Sequence, residues 1–202
     1  MTTPLGVILA GGKSSRMGGG DKSLLPLGAA PLLARVIDRI APQVSDIALN
    51  ANGDPARFAT FGLPVVADSI EGHLGPLAGV LAGLDWAASK GADAIVTVAA
   101  DTPFFPHDLV LHLQQTGQGM AYPLVLAATP DPERGINRHP TFGLWPVALR
   151  DDLRDALNDG LRKVVLWTDR HEGRLAEFPV GSIDPFFNVN TPEDLAQAER
   201  ML

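Results

Sequence analysis

Short apolar, β-branched runs alternate with helical patterns through the first half of this chain, and no other feature constrains its fold as much. Residues 6–10, 46–50, 64–67 and 94–99 read as buried strands. Residues 31–41, 77–90 and 107–115 read as helices; in the first, Leu32, Leu33, Val36, Ile37 and Ile40 share one face, with Arg35, Asp38 and Arg39 off it. Strand–helix–strand alternation predicts an α/β protein with a mostly parallel central sheet covered by helices on both faces.

The second half is less regular. Residues 120–128 and 141–145 read as strands flanking a loop, 130–140, rich in proline and charge. Residues 148–157 and 161–167 read as helices, 174–180 as extended, and 191–202 as a final helix with Thr191 as N-cap, Pro192 as first helical residue and Asp194 in the first turn. No repeat, low-complexity tract or linker interrupts the 202 residues, so one domain over 1–202 is expected.

Several function classes are excluded by composition. With no cysteine, the chain has no disulfide, thiolate nucleophile or Cys-ligated metal. A net charge of −7 argues against a nucleic-acid binder, which needs surplus Lys and Arg to neutralise phosphates. No apolar run approaches the roughly 18 to 20 residues that span a bilayer. MTTPLGVILAGG lacks a basic n-region, so a signal peptide is not expected and a cytoplasmic protein is.

Parallel sheets bind ligands outside the carboxyl ends of their strands. The residues there are Gly11 onward, Asn50, Asp68 and Asp101. The first strand runs into LAGGKSSRMGGGDKSLLPL, residues 9–27. It is not a P-loop: Gly12-Lys13-Ser14 supplies the end of that motif, but its first glycine would fall at Val7, inside the strand. Nor is it a dinucleotide fingerprint, because no helical pattern opens until about Pro31. What remains is a long strand-end loop whose glycines let backbone N–H groups approach a polyphosphate. In it Arg16 can fork two phosphate oxygens, and Lys22 is a movable point charge.

Leu9-Ala10-Gly11-Gly12, Arg16-Met17-Gly18 and Asp21-Lys22 resemble the opening of nucleotidyltransferases with a GT-A-like, Rossmann-type three-layer fold. Asn50-Ala51-Asn52, Asp68-Ser69, Gly75-Pro76-Leu77-Ala78-Gly79, Asp101-Thr102-Pro103, His139-Pro140-Thr141 and the run from Asn188 to Leu195 narrow the resemblance to the molybdenum cofactor guanylyltransferase family, over nearly the whole chain. The triple glycine at 18–20 departs from the family pattern and implies a looser loop.

The resemblance implies transfer of GMP from GTP to the terminal phosphate of molybdopterin carrying molybdenum, with release of pyrophosphate. It implies that Leu9, Ala10, Gly11 and Gly12 contact the nucleotide and Lys22 the triphosphate, that Asn50 and Asp68 line the nucleotide pocket, and that Asp101 holds Mg2+. Gly75, Pro76, Leu77, Gly79, Asn188 and Asn190 would face the pterin acceptor, so the N-terminal part would hold the nucleotide and the C-terminal part contribute the acceptor site. Lys22, Arg16 and Asp101 would carry the catalysis. Transient contacts with other cofactor-biosynthesis or molybdoenzyme-maturation proteins suit such a role.

The residues themselves leave alternatives open. Asp101 before Thr-Pro fits a turn or N-cap as well as a metal ligand, and Asn50 and Asp68 fit Asx turns. Asn188 and Asn190, two apart, point the same way if extended. His139, beside Arg134 and Arg138, suits positioning an acceptor phosphate; Arg162 and Lys163 would add positive field there or face solvent. Trp86, Trp145 and Trp167 fit core positions. CTP or a sugar-phosphate acceptor would need the same loop, and a non-catalytic nucleotide-binding regulator could share the fold.

Overall fold

The computed structural model describes residues 2–11, 21–70, 72 and 75–202. It begins with β1 (Leu5–Leu9), followed by a small hairpin of β2 (Pro26–Leu27) and β3 (Ala30–Pro31), then α1 (Leu32–Ile40), β4 (Ile47–Asn50) and β5 (Val65–Val66). Next come α2 (Pro76–Ser89), β6 (Ala94–Ala99), α3 (Leu109–Thr116), β7 (Val125–Asp131) and β8 (Gly135–Pro146). The chain ends with α4 (Arg150–Asn158), α5 (Val164–Arg170), β9 (Arg174–Glu177) and α6 (Pro192–Arg200).

Seven strands form one sheet in the order β5-β4-β1-β6-β8-β7-β9. Among the described residues of this sheet only β8 pairs antiparallel with its neighbours, so the sheet is mostly parallel, as expected. Alternation along β1 explains the three layers, because successive side chains leave opposite faces. Ile8 packs with Leu33, Val36 and Ile40 of α1 and Leu109 and Leu113 of α3. Leu5 and Val7 pack on the other face with Leu77, Val80, Leu81 and Leu84 of α2, Leu153 of α4 and Trp167 of α5. Full burial of one such Leu contributes about 1.5–3 kcal/mol. Trp145 and Trp167 are core residues, and their ring N–H groups are satisfied by Thr97 Oγ1 and Asp152 Oδ1, each at 2.8 Å. Trp86 is only partly buried and carries Lys90 over its ring.

The stretch read as a loop, residues 130–140, is instead the outer part of a β7–β8 hairpin. Asp131 Oδ1 accepts the N–H groups of Glu133 and Arg134 at 2.9 and 2.8 Å and closes the turn. Strand β9 pairs only with Val125–Ala128, so Pro130 is asked for no donor on that side. Helix α5 starts three residues later than its pattern suggests. Arg162 folds back onto the carbonyls of Leu157 and Leu161, both at 2.7 Å, and so finishes α4 instead of facing an acceptor.

A third apolar cluster joins Leu27 and Leu32 to Val189 and Ala198, with Leu195 packed against it. It fastens α6 to the hairpin that follows Lys22. Helix α6 starts as its sequence predicts: Thr191 Oγ1 accepts from Asp194 N at 3.1 Å, and Asp194 Oδ2 accepts from Thr191 N at 2.9 Å.

Candidate active site

A cavity of about 500 Å3 opens at the carboxyl ends of β1, β4, β5 and β6, where the chain crosses from one side of β1 to the other. Leu9, Ala10 and Gly11 form its floor as β1 ends. Asn50, at the end of β4, is 3% exposed; its amide donates to Val66 O at 3.2 Å and Asp68 Oδ1 at 3.0 Å. Asn52 donates to Asp68 Oδ2 at 2.8 Å and accepts from Asp68 N at 2.9 Å. Asp68 is therefore held in place by two amide side chains before any ligand arrives, which lowers the cost of ordering it on binding.

The opposite wall carries Asp101, with Lys22 beside it. Lys22 Nζ lies 2.7 Å from Asp101 Oδ2 and 2.6 Å from Asn190 Oδ1. The Thr102 hydroxyl sits 3.1 Å from Asp101 Oδ1 and also bonds Asn188 Oδ1. Val189 N donates to Asp101 O at 2.8 Å, so the segment leading into α6 lies directly against the end of β6. Thr141 enters the cavity from β8 through an irregularity: Leu126 faces Gly143, but Ala127 faces His139, leaving residues 140–142 outside the β7 register. Pro140, with no N–H to give the ladder, falls in that bulge.

Arg57 and Asp21 complete the rim. Arg57 comes from the 3-10 turn Pro55–Phe61, capped by Asp54. Its guanidinium pairs with Asp21, donates to Asn52 O at 2.6 Å and Asp54 O at 2.5 Å, and lies 4.6 Å above the Phe58 ring. The residue before Lys22 is thereby tied to the far side of the cavity.

A family model described as the MobA-like NTP transferase domain matches residues 6–173. The chain is 53% identical to the molybdenum cofactor guanylyltransferase of Rhodopseudomonas palustris (strain BisB5), over 96% of this chain and 92% of that protein. It is 50% identical to the protein of that name from Mesorhizobium japonicum, over 98% of this chain and 95% of that one. The chain belongs to the molybdenum cofactor guanylyltransferase family, within the MobA-like NTP transferases. Molybdopterin-guanine dinucleotide biosynthesis protein A from Archaeoglobus fulgidus shares the fold, with a TM-score of 0.73 at 22% identity over 98% of this chain and 97% of that one.

In this guanylyltransferase-family fold, most residues singled out in the sequence converge on the cavity. Leu9, Ala10, Gly11, Asn50, Asp68, Gly75, Pro76, Asp101 and Asn188 line it, and Lys22 and Asn190 meet beside it. Gly12 and Arg16 lie outside the described residues. Two residues expected at the acceptor sit elsewhere: Leu77 is fully buried in the apolar layer under α2, and Gly79 is buried beneath Asn50. Asn190 turns towards Lys22.

His139 is also displaced from its expected place. It stacks on Phe186 with ring centroids 4.1 Å apart and bonds Thr129 Oγ1 at 2.9 Å. Burial pushes its pKa below the usual histidine value, and the nearby Asp184 pulls it back in part. Its neighbour Thr141 reaches the cavity instead. The sequence gives Arg57 no site role, and Thr141, Asn52 and Asp21 stand in it only as motif residues. For Arg57 no local signal exists, since an arginine in a polar turn reads as solvated.

The donor set fits a magnesium ion. Asp21, Asp68 and Asp101 all line the cavity, so a bound triphosphate would meet carboxylates, and a divalent cation between them would relieve the repulsion. Among the described residues, no three His, Asp or Glu side chains cluster into a cage. Magnesium needs none, because it takes one or two protein carboxylates and completes its shell with water and substrate phosphates. Among the described residues, no helix is long and apolar enough to cross a membrane.

Proposed function

We propose that this chain transfers GMP from GTP to the terminal phosphate of molybdopterin and releases pyrophosphate. The reading is carried by the Lys22–Asp101 pair, 2.7 Å apart at the mouth of a switch-point cavity, in a chain of the molybdenum cofactor guanylyltransferase family. An oxygen of the acceptor phosphate forms a bond to the α-phosphorus of GTP. The bond from that phosphorus to the β-phosphate oxygen breaks, and the electron pair leaves with pyrophosphate.

A phosphate monoester is already largely ionised near neutral pH, so the nucleophile needs no strong base. The obstacle is one anion approaching another, and alignment plus charge neutralisation lowers it. Lys22 places its positive charge on the leaving pyrophosphate, and Arg16 joins it there. Leu9, Ala10, Gly11 and Gly12 offer backbone to the nucleotide, while Asn50 and Asp68 line its pocket. Asp101 would hold Mg2+, which would supply charge neutralisation at the reacting phosphates. Gly75, Pro76 and Asn188 form the acceptor side. One nucleotidyltransferase domain spans the chain, working in the cytoplasm on a molybdopterin whose molybdenum is part of the substrate.

The test is pyrophosphate release from GTP with magnesium and molybdenum-bearing molybdopterin, alongside thermal stabilisation by a nucleotide panel. GTP should stabilise most and be consumed only with the acceptor present. Preferential stabilisation by CTP would replace the guanine assignment. Absence of turnover with any pterin acceptor would sink the enzyme reading.

A further inference from the structure

We infer that Asn190 and Asp194 are positioning residues for Lys22, by which the C-terminal segment sets how the nucleotide phosphates are held; this rests on the function proposed above. Among the described residues, Asn190 Oδ1 and Asp101 Oδ2 take two of the three N–H donors of Lys22 Nζ and fix its direction. Asn190 is itself held from behind, its N–H donating to Asp194 Oδ2 at 2.9 Å. A capping box requires only the bond to Thr191 N; the bond to Asn190 N is additional and reaches back towards the site. The hydrogen bond from Asn190 N holds the Asp194 carboxyl below the usual carboxylate range, with the charge of Lys22 contributing.

Both ends of the Lys22–Asn190 bond are anchored on one piece of core. Val189, between the two asparagines, is fully buried with Leu27, Leu32 and Ala198. Gly28, in the turn after Leu27, has φ +65°, and a Cβ there would lie 2.8 Å from Leu202 Cδ1. The hairpin following Lys22 and the segment carrying Asn190 therefore keep one relative position. Among the described residues, loss of the Asn190 amide leaves Lys22 with the Asp101 carboxylate, which draws it away from an incoming phosphate.

Titration calorimetry of GTP with magnesium and no acceptor, together with steady-state kinetics, tests this on the full chain. Asn190→Ala and Asp194→Ala should each weaken GTP binding about tenfold, as expected for a lost charge-assisted hydrogen bond, and leave the acceptor KM unchanged. Asp194→Asn keeps an accepting oxygen and should restore most of the affinity. Thr191→Ala should lower the melting temperature much as Asp194→Ala does, with GTP affinity intact. Wild-type GTP binding by Asn190→Ala and Asp194→Ala overturns the inference. So does an equal loss in Thr191→Ala, or an Asn190→Ala effect confined to the acceptor KM. Wild type that binds GTP without turnover sinks the proposed function while these binding data still decide the inference; wild type that binds no GTP overturns both.

Discussion

Gly79 lies directly beneath Asn50: a Cβ at residue 79 would collide with Asn50 Oδ1 and come within 2.9 Å of Leu9 Cδ2. The first turn of α2 can approach the end of β4 only because that side chain is absent. Gly79→Ala should therefore cost about 1–3 kcal/mol in denaturant unfolding. It should also displace the Asn50 amide from Asp68 and weaken GTP binding. In an Asn50→Ala background the same change should cost markedly less stability, because the main obstacle is gone. Equal costs in both backgrounds would show that the contact does not matter.

Lys22 and Asp101 neutralise each other at 2.7 Å, with side chains 19% and 27% exposed. Lys22→Ala and Asp101→Ala should each lower pyrophosphate release by at least about a hundredfold, the scale of losing a placed charge at a reacting phosphate. Circular dichroism should show the fold retained. The double variant should lose far less than the product of the single losses, because both residues serve one step.

Arg57 binds Asp21 and two backbone carbonyls at once. Arg57→Ala frees the residue before Lys22 from the far wall, and GTP KM should rise roughly three- to tenfold. Arg57→Lys should recover only part of this, because an ammonium cannot reproduce the planar fork. Unchanged kinetics in Arg57→Ala would remove the residue from the site.

His139 gives stability a defined pH dependence. The unfolded chain takes up a proton on it near pH 6.5, whereas burial keeps the folded group neutral to lower pH. Between those two values the unfolded state binds more protons, so stability falls as pH falls through that window. Melting temperatures from pH 8 to 5 should decline on the acid side. His139→Gln should flatten that part of the decline, while the wild-type slope persisting in the variant would assign it to another group.

Local patterning was enough for the main strands and helices of the first half (though not the small β2–β3 hairpin), for the mostly parallel sheet and for the strand-end residues Asn50, Asp68 and Asp101. Those features follow from side-chain periodicity and turn chemistry, which neighbouring residues carry among themselves. The same reasoning failed at the β7–β8 hairpin, where Pro130, Pro132 and the charges around them read as loop. There the outer strands pair with each other across a tight turn, Thr129 with Asn137 and Pro130 with Ile136, and the prolines and charges that mark the turn mask the strand pattern on either side of it. Only the tertiary structure could turn Asn190 towards Lys22, 168 positions away, or bring Arg57 to Asp21. It likewise moved Leu77 into the core and Gly79 under Asn50. The chain by itself determined which residues stand at the strand ends; which of them touch was decided by close packing of helices and strands brought together from far apart in the chain.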